Sequence, residues 1–157
     1  PLMFVNSSKF EIFEMDNLLA SMQKIRYTAP STTVVLEINE KAAADTNELP
    51  ILRDSLEKLN IGLAFDDFGV GQTRLVELSK TPPDYLKFDI SLIRKIHLAP
   101  KRLHQMISTF IKASHGLGML TLAEGIECSE ESEVCRQIGF DLGQGYFFGR
   151  PAPINAI

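Results

Sequence analysis

The sequence predicts an α/β fold of (β/α)8 TIM-barrel type, incomplete, with about six of the eight βα units present. Two observations predict it. Six short apolar runs alternate with helix-compatible segments, and each run hands over to a polar side chain at or just past its carboxyl end. Parallel neighbours need a long connection, so strand alternating with helix implies a parallel sheet with helical crossovers. In an open doubly wound sheet ligand groups concentrate at one switch point, whereas a closed barrel gathers every strand end around one mouth. Polar groups at all six strand ends favour the barrel. A closed barrel takes roughly 250 residues, and the chain has 157. The expectation is therefore one domain over residues 1–157, the C-terminal part of a barrel whose first two units would precede Leu2.

The first strand is expected at "LMFV" (2–5), ending on Asn6 and leading to a helix over 10–25. "TVVLEI" (33–38) follows, with Glu37 and then Glu40 at its end and a helix over about 47–59 that Thr46 would cap. "GLAF" (62–65) runs into Asp66, Asp67 and a glycine turn, then a helix over 72–80. "YLKF" (85–88) carries Lys87 and leads to Asp89, with a helix at 101–115. "MLTLA" (119–123) delivers Glu124 and Glu127, then a helix at 129–138 with Ser129 as N-cap, Glu131 and Glu133 in its first turn and Gly139 as its stop. "GYFF" (145–148) is expected as the last strand, with Gln144 beside it.

Sixteen basic against twenty acidic residues leave a net charge of −4, so there is no broad basic surface to hold DNA by its phosphates. Cys128 and Cys135 form no CxxC pattern and read as reduced thiols, which with the absence of a signal-like start or an apolar run of membrane length predicts a cytoplasmic location. His97, His104 and His115 lie in or near helices without ligand spacing and are expected in surface or core roles.

One acidic residue at a strand end is usually a helix cap or a solvated charge. Five carboxylates, an amide and a lysine in one mouth are different, because like charges a few ångströms apart destabilise one another unless a cation joins them. Oxygen donors suit hard cations such as Mg²⁺ or Mn²⁺. Adjacent Asp66 and Asp67 could bridge two ions, the arrangement that activates water in phosphoester hydrolysis. A DFG triplet also occurs in protein kinases, but no HRD-type loop or nucleotide-binding glycine loop precedes it here. Gly69 and Gly71 permit a tight loop beside the aspartates. Lys87 reads either as half of a buried Lys–Asp pair or as the cation that holds a phosphate oxygen or attacking water.

"VNSS", "LEINE", "DDFGVGQT", "DYLKFD", "LAEGIE" and "GQGYFFGRPAP" occur in the order and spacing of the EAL domain, the bacterial cyclic di-GMP phosphodiesterase, and the chain resembles that family from about residue 3 to 154. The resemblance implies metal-dependent hydrolysis of cyclic di-GMP to linear pGpG in bacterial signal transduction. It makes Asn6, Glu37 and Asp66 ligands of one Mg²⁺ or Mn²⁺ and puts a second ion on Asp66 and Asp67. It gives Lys87 the attacking water, and Glu124 the part of a second-metal ligand or general base. By the same resemblance Asp89 and Glu127 support the site, Gln144 contacts substrate, and Glu40 steadies the loop that Gly69 and Gly71 shape. A homodimer is implied, as is an attached sensory or GGDEF-type domain.

Three departures qualify this. The Glu-Ala-Leu motif is absent, Asn39 stands where threonine is usual, and "GVGQTR" replaces the usual form of the loop. The 157 residues alone are therefore expected to be inactive. The alternative is a degenerate EAL module that binds cyclic di-GMP or a protein partner without cleaving it.

Overall fold

The computed structural model describes residues 1–7, 14–39, 48–70 and 75–152, with the backbone alone for 75–77. Glu40, Thr46 and Gly71 lie outside the described residues. Six strands form one sheet in chain order: β1 Leu2–Asn6, β2 Thr33–Asn39, β3 Gly62–Phe68, β4 Tyr85–Phe88, β5 Leu120–Ala123 and β6 Leu142–Gly143. Every neighbouring pair is parallel. Strand order that follows the chain without reversal belongs to a barrel wall and has no switch point, so the sheet is a half-barrel flanked by helices.

Helices α1 Met15–Thr28, α2 Leu49–Lys58, α3 Leu75–Lys80, α5 Lys101–Gly116 and α6 Ser129–Ile138 lie between the strands. The long ones form because apolar side chains recur at helical spacing and find one buried face. α1 buries Leu18 and Met22, α2 buries Leu49, Leu52 and Leu56, and α5 buries Ile107, Ile111 and Ser114. Pro50 opens α2, where its missing N–H costs nothing. Pro30 follows the last residues of α1, and Gly139, at φ +106°, ends α6 in the left-handed region.

Alternate residues of the strands divide between two layers. Val34, Leu36, Ile38, Leu63, Phe65, Leu86 and Phe88 join the helices in one apolar core. Val35 and Ala64 are fully buried on the opposite phase, with Glu37 and Lys87 among the buried charged residues. The middle strands are closed on both faces, as parallel strands usually are.

The structure corrects the sequence-based expectations at several places. "GYFF" is not a strand: residues 146–148 form a turn, and the last strand is Leu142–Gly143, because Gly145 reverses the chain against Ile126, whose carbonyl accepts from the Phe147 N–H at 3.0 Å. Cys128, not Ser129, is the N-cap of α6, and the acidic residues of its first turn are Glu130 and Glu131. A short helix α4, Ile90–Ile93, and a 3₁₀ turn, Ile96–Leu98, were not anticipated; both are too short for a hydrophobic period to register.

At the N-terminal end of the strands Asp84 ties α2 to the sheet. Its carboxylate accepts from both terminal nitrogens of Arg53, one at 2.8 Å, and from the Leu63 N–H at 2.8 Å. Burial opposes the charge, but the Arg53 fork and the Leu63 N–H outweigh it and hold the carboxyl below its ordinary value. A depressed carboxyl stabilises the fold above its unfolded pKa and stops doing so as pH falls through the folded one. Asp84→Ala is expected to cost about 1–2 kcal/mol at neutral pH, toward the lower end because the carboxylate is 38% exposed. The difference from the parent chain should narrow as pH falls below the ordinary aspartate range in urea titrations, and a difference that stays constant with pH would refute the pairing.

Candidate metal centre at the strand ends

Lys87 stands in the middle of the mouth. Its stem is 3% exposed, and Nζ lies 2.6 Å from Glu37 Oε1, 2.6 Å from Glu124 Oε1 and 3.1 Å from Asp66 Oδ1. Three strands, β2, β3 and β4, and the first residue after β5 therefore converge on one ammonium. The expectation of a single Lys–Asp pair is too small. Burial alone would lower the lysine pKa, but Glu124 and Glu37 outweigh it and raise it, so the ammonium stays charged at any physiological pH.

Adjacent residues of a regular strand point to opposite faces, yet Asp66 and Asp67 present oxygens to the same cluster. The register explains how. Phe65 pairs with Leu86 and Phe68 with Phe88, so two residues of β3 oppose one of β4. This is a bulge, with Asp67 in the left-handed region at φ +61°. One extra residue re-aims the second carboxylate, and oxygens of Asp66, Asp67 and Glu124 come within 4.8 Å of one another. Asn39, which pairs with Asp66 in register, donates its side-chain N–H to Asp67 Oδ2.

The charge balance is uneven. Burial, then Asp66 and Asp89, raise the Asp67 pKa against the Asn39 hydrogen bond. Burial also raises Glu124, with Asp66 and Glu37 adding to it and Lys87 opposing it. Among the described residues one lysine faces four carboxylates, an excess of negative charge within a few ångströms. An all-oxygen donor set with that excess fits a hard divalent cation.

The remaining predicted residues are placed as follows. Asn6 ends β1, exposed, opposite Glu37 in register. Asp89 caps α4 by accepting from the Ser91 N–H at 2.8 Å, and Glu127 pairs with Arg94. Gln144 follows β6, its N–H on Ala123 and its carbonyl accepting from Ile126 at 3.0 Å. Gly69 sits at φ +99°, where a side chain is strained, and a Cβ there would press on the Leu92 side chain, so this position favours glycine. A groove of about 370 Å³, lined by Arg94, Glu124, Glu127, Gln144 and Tyr146 among others, opens beside the carboxylates. Arg94 and Tyr146 were missed by sequence reasoning: one lies in a turn without a pattern and the other in the supposed strand. A larger cavity, about 570 Å³, lies at the opposite strand ends, where Arg53 and Asp84 are already paired with each other. Among the described residues it holds no cluster of metal-ligating side chains.

The model of the EAL domain matches residues 1–151. The chain belongs to the EAL domain family. Relatives and solved structures agree with this. The probable cyclic di-GMP phosphodiesterase PdeN of Escherichia coli K12 is 30% identical over 142 residues, covering 89% of this chain and 27% of PdeN. The EAL domain of Mycobacterium smegmatis DcpA superposes with a TM-score of 0.84 at 25% identity, over 96% of this chain and 67% of that one. Klebsiella pneumoniae BlrP1, solved as a calcium and cyclic di-GMP complex, gives 0.72 at 25% identity, over 96% of this chain and 38% of that one. The chain spans about a quarter of the length of PdeN. No described helix is long and apolar enough to cross a membrane.

Proposed function

We propose that this EAL chain carries the metal-binding and water-handling residues of a cyclic di-GMP phosphodiesterase that forms linear pGpG. The observation that carries the reading is the convergence of Asp66, Asp67 and Glu124 oxygens beside the buried Lys87 ammonium. Asn6, Glu37, Asp66, Asp67 and Glu124 would hold Mg²⁺ or Mn²⁺, two ions in the intact domain. Bound there, the ions would polarise a phosphoryl oxygen and acidify a water.

The chain's own residues divide the remaining work. Lys87, fixed by three carboxylates, offers a permanently charged donor to the attacking water or to the phosphate oxygen that gains charge. Glu124, whose burial raises its pKa, suits a group that takes the water proton on a carboxylate oxygen as the new P–O bond forms. The bond from phosphorus to one ribose oxygen breaks, and that oxygen leaves as a hydroxyl protonated from solvent. Asp67, held by Asn39, supports it. Gln144 and Glu127 line the groove that would receive the nucleotide, and Asp89 holds the start of α4 beside it. Glu40, Gly69 and Gly71 would shape the loop after β3. A cytoplasmic homodimer with an attached sensory or GGDEF-type domain belongs to the same proposal.

The test is pGpG formation from cyclic di-GMP with Mg²⁺ or Mn²⁺, resolved by chromatography. It compares the 157-residue chain with the same chain joined to two further βα units. Turnover by the longer chain, abolished by a chelator and restored by metal, is expected. No turnover by either, with the nucleotide still retained in equilibrium dialysis, would replace this reading with a binding module.

A further inference from the structure

A second cluster of metal-ligating side chains lies outside the acidic centre and shares no residue with it. His97 belongs to the 3₁₀ turn after β4, while Cys128 and Glu131 lie at and just inside the start of α6 after β5. One donor atom from each, an imidazole nitrogen, the Cys128 Sγ and a carboxylate oxygen, come within 4.8 Å of one another. Sequence spacing hides this, because 31 and 34 residues separate His97 from the other two.

A second observation points to a ligand. His97 Nδ1 is shut off from solvent and has no hydrogen-bond partner among the described residues. A buried polar nitrogen left this way costs stability and calls for a missing water or ion. The Glu131 carboxylate is already oriented: it is 3% exposed and accepts from the Lys95 N–H at 2.6 Å and the Glu127 N–H at 2.8 Å. Backbone donors that fix a carboxylate in this way are what metal ligands commonly have behind them. Cys128 is half-buried, and the carboxylate of Glu130, two residues on in the chain, offers a further oxygen.

We propose that His97, Cys128 and Glu131 form a binding site for a thiophilic divalent cation, Zn²⁺ by its chemistry, separate from the hard-cation centre at Asp66 and Asp67. Nitrogen, sulfur and one carboxylate oxygen are a zinc-type set of three, with the fourth position left to water or Glu130. On binding, the Cys128 thiol loses its proton to solvent and the sulfur–metal bond takes its place. The ion would clamp the turn after β4 to the start of α6. Arg94 and Glu127, which line the groove, are close neighbours of these ligands in the chain.

Co²⁺ is the probe, titrated into the reduced chain. One equivalent is expected to produce the near-ultraviolet thiolate-to-Co²⁺ charge-transfer band. The band should survive Asp66→Asn, disappear in Cys128→Ser, and require about tenfold or more additional Co²⁺ in His97→Gln. Zn²⁺, but not Mg²⁺, should also protect Cys128 from alkylation in the parent chain, and His97→Gln should weaken that protection. Burial pushes the Cys135 thiol up to about 12, so Cys128 is the thiol that reacts. The alkylation arm stands even if Cys128→Ser misfolds. No charge-transfer band in the parent chain, a band unchanged in Cys128→Ser, a band lost in Asp66→Asn, or no Zn²⁺ protection would each overturn the proposal.

Discussion

Lys87→Met lowers the unfolding free energy by about 3–5 kcal/mol at neutral pH, the range for removing one partner of a buried ion cluster. Methionine fills most of the volume of the lysine stem, so the loss is electrostatic. The ammonium that lies 2.6 Å from Glu37 and Glu124 and 3.1 Å from Asp66 disappears, and three carboxylates face one another uncompensated. Glu124, whose pKa burial already raises, then loses the ammonium that opposes the rise and moves further up. A raised carboxyl pKa penalises the fold above that pKa, and the penalty is relieved as pH falls through it. The variant should therefore recover part of its deficit near pH 5, before ordinary acid unfolding begins. Millimolar Mn²⁺ should also stabilise it more than it stabilises the parent chain, since the ion supplies the charge that was removed. Urea titrations at pH 8 and pH 5 decide this. A variant within about 1 kcal/mol of the parent at both pH values would show that water, not Lys87, neutralises the mouth.

Asp66→Asn, made in the chain that turns over cyclic di-GMP, should reduce kcat about 10³-fold while leaving the fold intact. The change removes one charge but keeps shape and an oxygen that can still accept from Lys87 Nζ at the Asp66 position, 3.1 Å away. Stability should move by about 1 kcal/mol or less. A metal ligand contributes to charge stabilisation in the transition state, and a thousandfold loss corresponds to about 4 kcal/mol. Substrate retention measured with Ca²⁺ should change far less than kcat. A variant that keeps a tenth or more of parental turnover would remove Asp66 from the metal centre and, with it, the two-ion proposal.

Much of this could be read along the chain because it depends on local periodicity. The β4 run "YLKF" is a strand over the expected residues, and the helix at 129–138 has the expected bounds, because apolar spacing and a terminal glycine act within one element. Glu37, Asp66, Lys87 and Glu124 were recognisable as a set because a parallel strand delivers its last residues to a common end. The "GYFF" segment failed because four apolar residues do not distinguish a strand from an exposed turn, and what decides is Gly145 passing against the Ile126 backbone.

The sequence by itself determined the αβ alternation, the family, and which polar residues end the strands. Those follow from side-chain pattern over a few neighbouring residues. Only the tertiary structure decided that β3 is bulged so that oxygens of Asp66 and Asp67 come together, and that Lys87 is shared by three carboxylates. It also decided that His97 meets Cys128 and Glu131 across two loops. Each of these depends on register and loop packing between segments about twenty to fifty residues apart. Burial at such meeting points, which a linear pattern does not contain, raises the pKa of Asp67 and Glu124.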